Sequence, residues 1–139
     1  MKQRILLVDD EPSILATLGA ILALHGYEVV TASSAKEGID KLRNSVFELV
    51  ITDLKMEHSK SGYEVLTAAK LAQPCPILTI LTASPNAGRN GVDAVFEKPT
   101  DIREVLDRLK LLLSQTRGTS DTRSKREQLR DCRVRIRRK

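Results

Sequence analysis

Acidic residues stand at the ends of two apolar runs: Asp9 and Asp10 after Ile5-Leu6-Leu7-Val8, and Asp53 after the run that closes on Thr52. Thr82 ends a third run, and Lys98-Pro99 follows a fourth. Three carboxylates, one hydroxyl and one ammonium make a set able to accept a phosphoryl group. The carboxylates can hold a divalent cation, because Mg²⁺ takes oxygen ligands and keeps several waters. One carboxylate can be the nucleophile. The hydroxyl and the ammonium can take up charge on phosphoryl oxygens, in a reaction that is mostly positioning and charge neutralisation.

These side chains converge only if the apolar runs are neighbouring parallel strands. Arg4–Val8 reads as a buried strand. Pro12 opens a helix, with Asp10 or Glu11 as cap, and Ile14, Leu15, Leu18, Ile21 and Leu22 recur at helical spacing until Gly26. Glu28–Ala32 is a second strand, and Ser34 caps a second helix with Ile39 and Leu42 inward. Phe47–Thr52 is a third strand, followed by a polar loop and a helix carrying Val65, Leu66, Ala69 and Leu71. Pro76–Leu81 and Asp93–Phe96 are the last strands, and Asp101–Gln115 the last helix, with Ile102, Val105, Leu106, Leu109 and Leu112 on one face. Strands alternating with helices imply an α/β, doubly wound parallel sheet. Five units suggest the flavodoxin-like order 2-1-3-4-5, with ligands beyond the strand C-termini at the switch point between strands one and three. Asp9-Asp10 and Asp53 would then end strands about 4.8 Å apart, with Thr82 beyond Asp53 and Lys98 one strand further out.

A length of 139 residues and 41% hydrophobic content suit one domain with an appendage, and 3% aromatics make its core aliphatic. No apolar run reaches the roughly 20 residues of a membrane span, and no signal-peptide order opens the chain. A cytoplasmic location is expected, with Cys75 and Cys132 as free thiols. The net charge of +5 is uneven. From Arg117 onward ten Lys/Arg oppose three Asp/Glu, a balance of +7; the rest carries thirteen and fifteen, a balance of −2. A mildly acidic domain, residues 1–116, thus carries a basic tail, 117–139, expected to be flexible. Solubility is its first reading, and electrostatic contact with nucleic acid a less favoured one.

The pieces ILLVDDEPS, LVITDLKM, ILTILTAS and VFEKP, in that order, resemble the receiver domains of two-component response regulators (the CheY-like family) from about Met1 to Arg117. The resemblance implies roles position by position. Asp53 would be the phospho-acceptor. Asp10 would ligate Mg²⁺ directly, with Asp9 assisting and the backbone carbonyl of Lys55 completing the site. Thr82 would hydrogen-bond the phosphoryl group, Lys98 would pair with it, and Pro99 would set the loop. Ordinary roles exist for each residue alone: a helix cap for Asp9-Asp10, a turn for Asp53, a solvated charge for Lys98. They would all have to hold at once. Haloacid-dehalogenase-type phosphatases share the aspartyl-phosphate, but need a second Asp two residues after the first, where this chain has Glu11.

Three departures from the family touch output. Glu57 follows Met56 where the family usually has Pro. The stretch from Ser84 to Gly91 is too short for the full fourth helix, which is expected to be shortened or missing. Val95 occupies the position of the family's switch aromatic, with Phe96 beside it. The expected function is a stand-alone bacterial receiver. A sensor histidine kinase or histidine phosphotransfer protein would phosphorylate it, and it would signal to an unknown protein by contact. It would not be a turnover enzyme beyond self-phosphorylation and autodephosphorylation. The alternatives are a phosphorylation-independent binding or scaffold module, and a small regulator that contacts nucleic acid through its tail.

Overall fold

The computed structural model describes residues 2–54, 56, 61–83, 91–98 and 101–118, with side chains to residue 114 in the last helix. Five strands, β1 (Arg4–Val8), β2 (Glu28–Ala32), β3 (Leu49–Thr52), β4 (Ile77–Thr82) and β5 (Ala94–Glu97), form one parallel sheet in the order β2-β1-β3-β4-β5. Among the described residues the helices are α1 (Pro12–Leu24), α2 (Ala35–Asn44), α3 (Ser61–Leu71) and α4 (Ile102–Gly118). The segment 84–90, in which the sequence leaves too little room for a full helix, lies outside the described residues. No helix is long and apolar enough to cross a membrane among the described residues.

Side-chain alternation along the strands divides the core into two layers. Ile5, Leu7, Leu49, Ile51 and Leu81 pack with Leu18 and Leu22 of α1 and Val105, Leu109 and Leu113 of α4. Leu6, Val8, Val50, Leu78 and Ile80 pack with Leu42 of α2 and Val65, Leu66 and Ala69 of α3. β3 and β4 are buried throughout, and β1 from Ile5 on, because helices cover both faces.

Local signals start the helices. Ser34 Oγ accepts the Glu37 N–H at 3.1 Å, and Glu37 Oε1 accepts the Ser33 N–H at 2.6 Å, so two free amides at the start of α2 are satisfied. That reciprocal bond holds the Glu37 carboxyl below its usual range. Gly26 closes the turn after α1 at φ 93°, a conformation costly for other residues.

Four details differ from the sequence reading. β3 begins at Leu49, and Phe47 instead packs into the α2/α3 layer with the Arg4 guanidinium 5.0 Å from its ring centroid. Leu71 is exposed, because the helical phase set by Val65, Leu66 and Ala69 turns it to solvent. In α4, Leu113 is buried while Leu112 packs only at the margin, and the helix runs to Gly118. Cys75 is disulfide-bonded, not the free thiol read from compartment alone; Cys132 lies outside the described residues.

Candidate functional site

Strand register brings the sequence-predicted residues together. Val8 of β1 pairs with Thr52 of β3, so Asp9 and Asp53 leave adjacent strands side by side. Backbone bonds continue the ladder past both ends: Asp53 N–H donates to Val8 O at 2.9 Å, and Asp9 N–H to Ala32 O at 3.1 Å. Thr82 pairs with Glu97, and Lys98 N–H donates to Thr82 O at 2.7 Å. The long Lys98 side chain then reaches back over the sheet edge. Its Nζ lies 2.9 Å from Asp9 Oδ2 and 3.2 Å from Asp53 Oδ2.

Asp9 is fully buried, Asp53 and Thr82 nearly so, and Asp10 is exposed. One carboxylate oxygen from each of Asp9, Asp10 and Asp53 lies within 4.8 Å of the other two. Burial pushes the Asp9 carboxyl above its usual range; the Glu11 N–H bond and the Lys98 ammonium pull it down by less, and the Asp53 charge adds to the rise. For Lys98, burial works against the ammonium. The close contacts with the Glu11 and Asp9 carboxylates and the charges of Asp9 and Asp53 outweigh it and hold its pKa above the ordinary value.

Asp9 performs two tasks with its two oxygens. Oδ1 accepts the Glu11 N–H at 2.9 Å and so supports the entry of α1, where Glu11 is the N-cap and makes no side-chain cap. Oδ2 is buried and meets Lys98 at ion-pair distance, yet accepts no well-aligned hydrogen bond among the described residues. A buried anionic oxygen with an open coordination direction, beside two more carboxylates, fits a hard divalent cation. Helix capping and metal holding are therefore compatible for this residue.

Two residues escaped the sequence reading of the site. Glu11 was legible only as a possible cap, yet its Oε1 lies 2.9 Å from Lys98 Nζ. Gly62 opens α3 directly beneath the site: its N–H donates to Leu54 O at 2.9 Å, and a Cβ there would run into the Asp53 carbonyl oxygen and Leu54 Cα. Lys55, Glu57, His58 and Pro99 lie outside the described residues.

Beside Lys98 and Glu11 a groove of about 510 Å³ opens between α1 and α4, lined mainly by Ile14, Leu18, Leu81, Ile102 and Val105. At the switch aromatic's position, Val95 is partly buried against the α2/α3 layer. Phe96 points through the opposite face into the α1/α4 layer, so its ring does not replace the missing aromatic.

The chain is similar to proteins of one kind. It is 34% identical over 125 residues to the transcriptional regulatory protein GlrR of Escherichia coli (strain K12), a match covering 86% of this chain and 28% of that protein. It is 32% identical over 115 residues to the response regulator ArlR of Staphylococcus aureus (strain MW2), covering 79% of this chain and 52% of that one. The chain thus spans at most about half of these curated relatives. Among solved structures, a CheY-like response regulator receiver domain protein from Methanospirillum hungatei JF-1 superimposes with a TM-score of 0.75 at 30% identity, covering 83% of this chain and 96% of that one. The response regulator protein TrrA of Thermotoga maritima, solved in complex with Mg(2+)-BeF, gives 0.71 at 31% identity, covering 79% and 98%. The response regulator receiver domain family model matches residues 5–110, and with this sheet order and this cluster of acids and lysine the chain belongs to that family.

Proposed function

We propose that this chain is a phospho-accepting receiver in which Asp53 takes a phosphoryl group from a histidine kinase or a histidine phosphotransfer protein and passes the signal on by protein–protein contact. The observation that carries this reading is that Asp53 Oδ2 lies 3.2 Å from the partly buried Lys98 ammonium while an Asp53 oxygen lies within 4.8 Å of a carboxylate oxygen of Asp9 and of Asp10. Asp9, Asp10 and Asp53 would hold Mg²⁺, with the Lys55 carbonyl as the further ligand expected from the family pattern. Bound there, the cation supplies positive charge against the phosphoryl oxygens.

In the transfer, an Asp53 carboxylate oxygen attacks phosphorus, the P–N bond of the phosphohistidine breaks, and the imidazole keeps the electron pair and takes a proton from solvent. Lys98 stands where the new phosphoryl oxygens develop, and Thr82, ending the next strand, serves as hydroxyl donor to them. The protein is an acceptor, with turnover limited to self-phosphorylation and loss of its own phosphoryl group. The apolar groove between α1 and α4 opens beside Lys98 and suits a protein donor. The basic segment from Arg117 lies almost wholly outside the described residues; with no aromatics interleaved among its charges for base stacking, nucleic acid is not the favoured partner.

Intact-mass measurement after incubation with acetyl phosphate and Mg²⁺ tests the proposal. Wild type should gain one phosphoryl group and Asp53→Asn none. An inert wild type that still binds Mg²⁺, or a phosphorylated Asp53→Asn, would overturn it.

A further inference from the structure

Among the described residues three carboxylates surround Lys98 Nζ, and they differ in how firmly they are held. Asp9 is immobilised by burial and by its bond from Glu11 N–H; its side chain is 1% exposed. Asp53 is 9% exposed and sits on the backbone ladder. Glu11 is 53% exposed, and its side chain makes no cap bond. Yet Lys98 donates well-aligned hydrogen bonds to Glu11, at 2.9 Å, and to Asp53, at 3.2 Å, while Asp9 Oδ2 receives only an ion pair. The solvent-side carboxylate therefore shares the ammonium with the two site carboxylates.

We propose that Glu11 is a positioning residue, a displaceable partner that occupies Lys98 until a phosphoryl group arrives on Asp53. The inference rests on the acceptor reading of Asp53. A phosphoryl group there would bring new anionic oxygens to Lys98, and one existing partner must yield. Asp9 is anchored and Asp53 becomes the acyl phosphate, so the exposed Glu11 carboxylate is the one free to swing into water. Its negative charge at the rim also opposes an incoming anionic donor. Removing that charge should ease both steps. Since Glu11 is half exposed, the gain is modest, about two- to five-fold, and it should fade with salt.

The test compares full-length wild type and Glu11→Gln at low and high ionic strength. Two readouts are followed: calorimetric binding of fluoroberyllate with saturating Mg²⁺, and phosphorylation by acetyl phosphate. Glu11→Gln should bind fluoroberyllate and accept phosphoryl about two- to five-fold better at low salt, with the advantage shrinking at high salt. Melting temperature should not change, because the α1 entry bond uses the Glu11 backbone and not its side chain, and affinity for Mg²⁺ alone should not rise, because the lost negative charge can only weaken cation binding. Equal affinities and rates in both proteins, a loss instead of a gain, or a gain independent of salt would overturn the role of Glu11 while leaving Asp53 as acceptor. A wild type that neither binds fluoroberyllate nor accepts phosphoryl would overturn both.

Discussion

Replacing Lys98 by Met keeps the length and apolar stem of the side chain and removes the ammonium that bridges Asp9, Glu11 and Asp53. In the wild type, Nζ sits 2.9 Å from Asp9, 2.9 Å from Glu11 and 3.2 Å from Asp53. The Glu11 contact is solvated and contributes little. The other two are not, and removing one partner of a buried ion pair costs about 3–5 kcal/mol because it strands the other charge. Asp10 and the rim are open to solvent, so a loss of about 2–4 kcal/mol near neutral pH is the expectation for metal-free Lys98→Met. The pH dependence identifies the cause. Asp9 already titrates above its reference value of 3.8, mainly through burial. Without the Lys98 ammonium it titrates higher still. A raised carboxyl is penalised only when ionised, so the deficit should be small where Asp9 is protonated, grow as pH rises through its folded-state pKa, and then level off. Lys98 itself, held above its reference value of 10.5, stays charged across that window; its contribution in the wild type is lost only in more alkaline solution. Mg²⁺ should restore more stability to the variant than it gives the wild type, since it replaces the missing positive charge. Urea unfolding followed by circular dichroism from acid to neutral pH, with and without Mg²⁺, measures all of this. A deficit that does not change with pH, or a variant as stable as wild type at neutral pH, would refute the reasoning.

Three further outcomes are expected. Mg²⁺ should raise the melting temperature in a concentration-dependent way, as a ligand of the native state does, and Asp10→Ala should abolish the rise; a full shift retained in Asp10→Ala would contradict the ligand assignment. Gly62→Ala should lose about 1–3 kcal/mol in urea unfolding, because its methyl group would collide with the backbone at Asp53 and Leu54. It should also weaken Mg²⁺ binding by moving Asp53, and calorimetry would detect this. Ser34→Ala should cost about 1 kcal/mol through lost capping of α2. Glu37→Gln should lose its deficit in acid, because Glu37 titrates below its reference value of 4.5, so its contribution is present above that pH and disappears as pH falls through the folded-state pKa.

Much of this was legible in the sequence because the strands bear helices on both faces. Continuous apolar runs such as Ile5–Val8 and Leu49–Ile51 cannot be half-exposed strands, and the first polar residue after each run must lie at the sheet edge. Asp9 and Thr82 are such residues, Asp53 and Lys98 stand one place further on, and the family resemblance gave each its expected role. What escaped it depends on direction in space. Glu11 stands one residue past the acidic pair, and only the reach of Lys98 from a strand three positions away makes it part of the site. Leu71 looked inward because it is apolar, but the phase of α3 decides the matter. Gly62 reads as a loop end, and its packing against the Asp53 carbonyl depends on how closely α3 begins beneath β3.

Strand alternation also bears on how a change at the site could travel. Asp53 continues the alternation of Leu49 and Ile51, and Lys98 that of Phe96; these apolar residues all pack in the α1/α4 layer. Thr82 continues the alternation of Leu78 and Ile80, and Val95 packs with those two in the α2/α3 layer. Ile80 pairs with Val95 across β4 and β5, which makes position 95 the near neighbour of Thr82's own face. A side chain meant to follow Thr82 must therefore stand at 95, and Phe96, one residue away, is on the wrong side of the sheet whatever its size. Val95 is β-branched, with restricted rotation about χ1, and has no ring to move between buried and exposed positions. On the α1/α4 side, by contrast, Lys98 is tied to Glu11 at the start of α1 and borders the apolar groove between α1 and α4. A change in the partners of Lys98 is thus felt first at the α1 entry and along that groove, on the face opposite the one that a rotating aromatic at position 95 would serve.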